Sequence, residues 1–377
     1  MEKPRALVIL LSDITFDSRV IRQIDSLRET YSVSVISSGR IGRPGLNHIK
    51  MRAPRLGILF GWSLLLGWNW LYYWNPFSPP FWFLLKIGRS EFDLVVANDA
   101  YAMPLALAVR GSPFVVADLH EFAPGENPVG SIRQKFKHWL VSSFLPQMSQ
   151  TVTIGKDVSK LYSTQYKIAP KIVENRSSFA QLIPSPVDSN CIRLVHHGIY
   201  AEDRGIELLI EALSHLPGRF ELNLVLHRAP IQRLRKIANR YLIPGSRLHF
   251  HNPVPPEDLA TFLNQFDIEV ILVPWSNPNL KAGLPNKLFE AVQGRLAICS
   301  GPAAEIGRVL SKYKIGVLSD DHTPVAFART LETLDSTAVG KMKAASHSAA
   351  HELSFQGMKV DYAAVIRGSS PPPGYSG

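Results

Sequence analysis

Short apolar runs alternate with amphipathic stretches along most of the chain. In the first half, the runs are apolar at consecutive positions, as strands buried on both faces of a parallel sheet are. They span residues 6–12, 31–38, 92–98, 113–119, 151–155 and 171–175. Helix-like segments lie between them at 18–30, 102–110 and 130–145. This order of strands and helices predicts an α/β domain built on a parallel sheet.

The same pattern starts again after a proline-containing segment. FAQLIPSPVDSN, at 179–190, is interpreted as a linker because of Pro184 and Pro186. Strands are then predicted at 192–198, 220–227, 247–252, 267–274, 295–300 and 314–319, and helices at 205–216, 230–241, 256–265, 286–293, 303–311 and 324–334. We therefore expect two Rossmann-like lobes, at 1–183 and 184–350, whose strand ends face one another across a cleft. The tail at 368–377 is predicted to be disordered from its composition.

A strongly apolar insertion interrupts the first lobe at 56–85. LGILFGWSLLLGWNWLYYWNPFSPPFWFLL has no charged residue and holds five of the seven tryptophans. These are Trp62, Trp68, Trp70, Trp74 and Trp82. A membrane span needs about 20 apolar residues, but prolines at 76, 79 and 80 break the return, and tryptophan favours the interface. We favour a hairpin that docks on an anionic membrane surface. A lid or acceptor pocket buried in protein and a true span are the alternatives.

Charge and cysteine content narrow the partners and the compartment. The formal net charge of +10 favours anionic partners such as phosphates, nucleic acid or acidic lipid. No nucleic-acid-reading motif accompanies the charge, so nucleic acid is not expected. Cys191 and Cys299 fit buried thiols in a reducing compartment better than a disulfide framework or a metal site. The apolar run after Arg5 is short and is broken by Asp13, so no export signal is predicted and we expect a cytoplasmic protein.

Two loops of the second lobe carry candidate ligand-binding residues. Gly198 allows a sharp exit from the strand at 192–198, and Arg204 then opens a helix whose N-terminus suits a phosphate. In GLPNKLFEAV, Lys287 opposes the helix dipole unless an anion lies nearby. Glu290, one turn further on, interrupts an apolar stripe and needs a partner, for which the hydroxyls of a ribose are suitable. The alternative for Arg204 is a surface arginine at the start of a helix. The alternative for Glu290 is a carboxylate paired with a neighbouring arginine.

Several of these stretches, taken in series, resemble one enzyme family. HHGIYAEDRGIELLIEAL, RLHFHNPVPPEDLATFLNQFDIEVILVPW and GLPNKLFEAVQGRLAICS resemble the donor half of retaining nucleotide-sugar glycosyltransferases of glycosyltransferase family 4, which have the GT-B fold. FDSRVIRQIDSL, DLVVANDAYAMPLALA and PFVVADLHEFAP resemble their first lobe. HELSFQGMKVDYAAVI resembles the late helix, predicted here at 351–367, that packs back across the lobes. The resemblance runs from about residue 6 to 366, apart from a gap near 50–85.

The resemblance assigns roles to individual residues. It places His120 near the transferred sugar, Arg204 on the diphosphate, and Glu290 on the ribose as the second glutamate of the Glu-x7-Glu motif. A structural histidine that caps a helix is the alternative for His120. The chain departs from the family at Ala282, where many members carry the first glutamate, and at Ile199, where a basic residue is often found. In this Pro-Asn-Lys-Leu-Phe-Glu variant, Asn286 or Lys287 is the candidate that compensates for the lost glutamate.

The expected function follows from the family. The chain is predicted to move a sugar from a nucleotide-diphosphate donor to a glycan or lipid-linked acceptor, with retention, at the inner face of the cell membrane, in polysaccharide or glycoconjugate biosynthesis. Basic residues and helix N-termini are expected to meet the leaving-group charge, so no metal and no cofactor other than the donor sugar is predicted. A nucleotide-sugar-binding pseudo-enzyme that acts as a scaffold, and a nucleotide-sugar epimerase of similar build, are the alternative functions.

Overall fold

The computed structural model describes residues 3–38, 41, 46–50, 91–111, 113–274, 278–358 and 364–365. The chain divides into two compact units, unit 1 with residues 1–174 and 360–377 and unit 2 with residues 175–359. The sequence had placed the boundary after residue 183. The tryptophan-rich insertion at 56–85, with its five predicted membrane-docking tryptophans, and the tail at 368–377 lie outside the described residues.

Unit 1 is a parallel sheet flanked by helices. Its strands are β1 (Arg5–Asp13), β2 (Ser32–Ser38), β3 (Asn47–Lys50), β4 (Leu94–Asn98), β5 (Phe114–Leu119), β6 (Gln150–Thr153) and β7 (Lys171–Ile172). Its described helices are α1 (Ser18–Arg28), α2 (Met103–Leu107), α3 (Ile132–Phe144) and α4 (Lys156–Tyr166). The strand order is β3-β2-β1-β4-β5-β6-β7, and every pair is parallel. The order reverses between β1 and β4, which is the switch point of a Rossmann-like sheet.

The sequence pattern explains how α1 packs on this sheet. Asp17 caps the helix by accepting a hydrogen bond from the backbone N–H of Val20 at 3.0 Å. Val20, Ile24 and Leu27 follow at helical spacing, and each is at most 1 % exposed. The helix therefore buries one apolar face, and the polar residues Arg19 and Gln23, which lie one turn apart, are buried with it.

Unit 2 repeats this architecture. Its strands are β8 (Ile192–Ile199), β9 (Phe220–His227), β10 (Leu248–His251), β11 (Ile268–Ile271), β12 (Ala297–Ser300) and β13 (Gly316–Leu318). Its described helices are α5 (Ile206–Ser214), α6 (Ile231–Arg240), α7 (Leu259–Leu263), α8 (Pro278–Ala282), α9 (Asn286–Gln293), α10 (Ala304–Tyr313), α11 (Pro324–Glu332) and α12 (Ser336–Ala349). The strand order is β10-β9-β8-β11-β12-β13, again all parallel, with the switch point between β8 and β11.

The segment that the prolines suggested as a linker is attached to unit 2. Asn175 donates to the side chain of Asn286 at 2.7 Å, and the N–H of Ala180 donates to the side chain of Gln293 at 3.0 Å. The guanidinium of Arg295, which is 1 % exposed, donates to the carbonyls of Ala180 and Leu182. These bonds hold the chain along α9, so the segment 175–182 belongs to the structure of unit 2.

The element predictions are confirmed at all twelve predicted strands, and the predicted helices are present with shifted ends. The sequence pattern missed β3, α4, α8 and α12. In the late helix predicted at 351–367, residues 351–358 form turns and bends rather than a helix, and residues 364–365 are helical. Residues 359–363 and 366–367 lie outside the described part of the chain. Among the helices that the structure describes, none combines the length and the apolar character needed to cross a membrane.

Candidate functional site

The switch point of unit 2 brings an unusual set of charged side chains together. His196, His197 and Gly198 lie at the carboxyl end of β8, and Glu269 lies on the neighbouring strand β11, whose register pairs it with Val195. Lys287 and Glu290 lie on α9, which follows β11 and α8. Ligands of open parallel sheets bind outside the carboxyl ends of the strands at such a point.

His197 lies between two carboxylates. Its Nδ1 is 3.0 Å from Oε2 of Glu269, and its Nε2 is 2.9 Å from Oε2 of Glu290. An ionised carboxylate only accepts hydrogen bonds, so both ring nitrogens donate and the ring is an imidazolium. Burial works against the charge, but the two carboxylates outweigh it and raise the pKa of His197 to about 9. The ring is therefore a fixed cation at neutral pH.

This arrangement provides the partner that Glu290 requires. The sequence suggested a bound nucleotide or an arginine, whereas the structure places the imidazolium of His197 against the carboxylate. Glu290 remains 25 % exposed, while Glu269 behind His197 is fully buried. Within the described residues, Oε1 of Glu269 makes no hydrogen bond. His197 thus links a buried carboxylate to an accessible one and fixes the direction of the accessible one.

Lys287 forms a second pair with His196. Nδ1 of His196 donates to the carbonyl of Val270 at 2.6 Å, so Nε2 is the acceptor for the Lys287 ammonium at 2.9 Å. Burial, with the cation of Lys287 adding to it, keeps the pKa of His196 well below its ordinary value. Burial also lowers the pKa of Lys287 to about 8; Arg204 adds to the effect, whereas Glu269 and Glu290 oppose it. The carboxylates of Glu269 and Glu290 therefore balance the positive charge of the site only in part.

Two glycines bring Arg204 and Lys287 into this site. Gly198 has φ of +129°, and a Cβ there would lie 3.8 Å from Nζ of Lys287. Gly205 has φ of +71°, and a Cβ there would lie 1.8 Å from the carbonyl oxygen of Leu272, so only glycine fits. The turn that contains Arg204 is thereby held against the chain that leaves β11. Arg204 is exposed, and its side chain has no hydrogen-bond or ion-pair partner within the described part of the chain.

The predicted donor-binding residues are thus brought together in part. Gly198, Lys287 and Glu290 share one site, and the charge of Arg204 acts on it. Asn286 is exposed at the start of α9, but its side chain accepts a hydrogen bond from Asn175. The site offers two cations and the N-terminus of α9 for an anion, next to a carboxylate that can accept from hydroxyl groups.

Sequence reasoning missed three members of this site, His196, His197 and Glu269. Two signals were available: a pair of histidines at the end of a predicted strand, and a glutamate inside the apolar run DIEVILVP. No cluster of histidine, cysteine, aspartate or glutamate with the geometry of a metal site occurs within the described ranges.

Unit 1 carries the other candidate residue, His120. It follows β5 directly, and its side chain is 22 % exposed. Its Nε2 lies 3.3 Å from Oδ1 of Asn98, the last residue of β4, and 4.0 Å from Oδ1 of Asp118. Asp118 is fully buried and paired with Arg19 at 2.7 Å. His120 is therefore at a strand end, as predicted, and is held by polar groups from the interior of unit 1.

Comparisons with known proteins identify the fold. No protein-family model matches the chain, and a search of curated proteins finds no significant match. Sucrose-phosphate synthase from Thermosynechococcus elongatus superimposes with a TM-score of 0.69 at 13% identity, over 93% of this chain and 95% of that chain. HepE from Anabaena, solved with UDP and glucose, gives 0.69 at 15% identity, over 97% of both chains. WaaG, a glycosyltransferase involved in lipopolysaccharide biosynthesis, gives 0.64 at 12% identity, over 96% and 97%. The α/β fold is therefore GT-B, as predicted.

Proposed function

We propose that the chain is a glycosyltransferase that takes a sugar from a nucleotide-diphosphate donor. One observation carries the proposal. At the switch point of unit 2, a group of cations whose charge the neighbouring carboxylates only partly balance lies next to a carboxylate of fixed orientation. Lys287 is the centre of the first and Glu290 of the second. The fold supports the proposal, because HepE, which shares it, has been solved with UDP and glucose.

Each part of the donor has a partner in the proposed complex. The diphosphate oxygens accept hydrogen bonds from Arg204, Lys287 and the free N–H groups at the start of α9. The ribose hydroxyls donate to Glu290. Ala282, which stands where the family often has its first glutamate, removes one contact to the sugar. The donor is the only small molecule that the reaction takes up besides the acceptor.

Transfer exchanges one oxygen for another at the anomeric carbon. The bond to the diphosphate oxygen breaks, an acceptor hydroxyl oxygen forms the new bond, and the hydroxyl proton leaves with the nucleoside diphosphate. Positive charge around the diphosphate stabilises the departing group. Retention of the anomeric configuration, membership of family 4 and the proximity of His120 to the transferred sugar rest on the sequence resemblance.

The proposed acceptor is a glycan or a lipid-linked glycan at the inner face of the cell membrane. The support is the uncharged, tryptophan-rich sequence at 56–85 with basic residues on both sides. WaaG, with the same fold, is involved in lipopolysaccharide biosynthesis. The full-length protein should float together with vesicles that contain anionic lipid, and a variant that lacks 56–85 should not. Flotation of the deleted protein would exclude this docking.

Calorimetric titration with UDP, GDP and TDP tests the donor site. We expect one nucleotide to bind and Glu290→Ala to weaken it about 10- to 100-fold, because a hydrogen bond to a charged group contributes about 1.5–3 kcal/mol. Glu257→Ala, which removes an exposed carboxylate outside the group of site residues described above, is the matched control and should leave the affinity unchanged. Absence of binding to all three nucleotides would refute the proposal. Binding without sugar transfer to lipid extracts would indicate a scaffold.

A further inference from the structure

Four polar side chains lead from the interior of unit 1 to His120. Arg19, Gln23, Asn98 and Asp118 are each at most 4 % exposed. The guanidinium of Arg19 donates to Asp118 through Nη2 at 2.7 Å and through Nε at 3.2 Å, and its Nη1 donates to the carbonyl of Val173 at 2.9 Å. The carboxylate of Asp118 is thereby held in place as a pure acceptor.

Asp118 determines which way the next side chain points. Nε2 of Gln23 donates to Oδ2 of Asp118 at 3.0 Å, and its second hydrogen is donated to Oδ1 of Asn98 at 3.2 Å. Oε1 of Gln23 accepts from Nδ2 of Asn98 at 2.9 Å. The reversed amide would set an oxygen against the carboxylate, which is unfavourable. The orientation of Gln23, and through it that of Asn98, is therefore fixed.

Asn98 in turn determines the protonation of the histidine. It presents Oδ1 to Nε2 of His120 at 3.3 Å. An amide oxygen only accepts, so Nε2 carries the proton, and in a neutral ring the lone pair is then on Nδ1. Within the described ranges, Nδ1 makes no hydrogen bond, and the ring is 22 % exposed. The nitrogen left for a ligand is therefore an acceptor.

We propose that this relay of Arg19, Asp118, Gln23 and Asn98 fixes His120 as the Nε2–H tautomer, so that Nδ1 accepts a hydrogen bond from a hydroxyl of the bound sugar. His120 then binds and orients a hydroxyl and does not supply a proton to the leaving oxygen. The sugar as ligand rests on the proposed function, whereas the tautomer is a property of the free protein. The two parts can therefore fail separately.

The test is nitrogen NMR of full-length protein labelled with 15N-histidine. His120→Gln identifies the His120 signals among those of the twelve histidines. We expect the shifts of a protonated Nε2 and an unprotonated Nδ1. Gln23→Met removes the groups that orient Asn98, so the His120 signals should move to the averaged values of two tautomers. Gln147→Met, which changes an exposed glutamine outside the relay, should leave them unchanged.

Activity tests the role of the ligand. Gln23→Met should slow sugar transfer roughly 3- to 10-fold, as loss of one neutral hydrogen bond does, with nucleotide affinity unchanged. A protonated Nδ1 in the wild-type protein would overturn the relay, even if Gln23→Met did not fold. Unchanged transfer despite a mixed tautomer would overturn the hydroxyl assignment. Failure to bind any nucleotide, with the Nε2–H tautomer intact, would refute the proposed function and leave the relay standing.

Discussion

Lys287 makes nucleotide binding depend on pH in a direction that the structure determines. Its pKa is lowered from 10.5 to about 8, first by burial and then by Arg204, with Glu269 opposing. A bound diphosphate adds negative charge next to Nζ and should return the pKa toward its ordinary value. Binding is then accompanied by proton uptake, because the free protein is only partly protonated at Lys287 near pH 8 while the complex is fully protonated.

The size of the effect follows from the pKa. With a pKa of about 8, Lys287 is about 90% charged at pH 7 and about 25% charged at pH 8.5. The apparent affinity should therefore fall about fourfold between these values, and binding at pH 8 should take up about half a proton. The affinity for the nucleotide is therefore highest below pH 8 and falls as the pH rises. His197, with a pKa of about 9, stays mostly protonated over this range.

Calorimetry in several buffers measures this uptake directly. UDP is titrated at pH 8 in buffers that differ in ionisation enthalpy. The slope of the observed binding enthalpy plotted against the ionisation enthalpy of the buffer gives the number of protons taken up. Lys287→Met should abolish the uptake and flatten the pH dependence, whereas Lys236→Met, at an exposed position on α6, should retain both. Equal uptake in wild-type protein and Lys287→Met would refute the reasoning, since another group would then take up the proton.

Three further predictions concern stability and are measured by urea unfolding. The raised pKa of His197 stabilises unit 2 fully below pH 6.5, and this stabilisation is lost as the pH rises through about 9. The free energy of unfolding of the wild type should exceed that of His197→Leu by about 3 kcal/mol less at high pH than at low pH. A difference that stays constant with pH would contradict the ion-pair geometry. Gly205→Ala should lower the free energy of unfolding by more than about 2 kcal/mol. Gly218→Ala, where the new Cβ meets open space, should lower it by under about 0.5 kcal/mol. Similar losses in the two variants would exclude the contact with Leu272. Arg19→Met should cost about 3–5 kcal/mol, because it leaves the carboxylate of Asp118 buried without the guanidinium cation. The exposed Arg133→Met should cost little, and a small loss in Arg19→Met would disprove the role of the ion pair.

The sequence predicted those parts of the fold that local pattern determines. Strands buried on both faces are largely continuous apolar runs, so β4 was recognisable from its sequence alone. Strand β3, with its polar residues at the sheet edge, has no such signal. Gly198 and Lys287 were identified because they stand where a strand ends or a helix begins, and Glu290 because it interrupts an apolar stripe. A one-dimensional pattern can locate both kinds of position.

The residues that were missed depend on contacts between distant parts of the chain. Glu269 meets His197 only because β8 and β11 are adjacent in the sheet, and strand order cannot be deduced from periodicity. For the same reason, the sequence pointed to a bound nucleotide or an arginine as the partner of Glu290, whereas His197 of β8 is the partner. Arg19 and Asp118 are 99 residues apart, and neither position alone indicates a buried pair.

The attachment of residues 175–182 to α9 has a practical consequence for protein engineering. The sequence alone would place the junction of a chimera that exchanges donor-binding halves at the prolines of the predicted linker, Pro184 and Pro186. Such a junction would separate Asn286, Gln293 and Arg295 from the chain that they bind. A junction between residues 174 and 175 keeps these bonds within one parent sequence, together with the helix that carries Lys287 and Glu290.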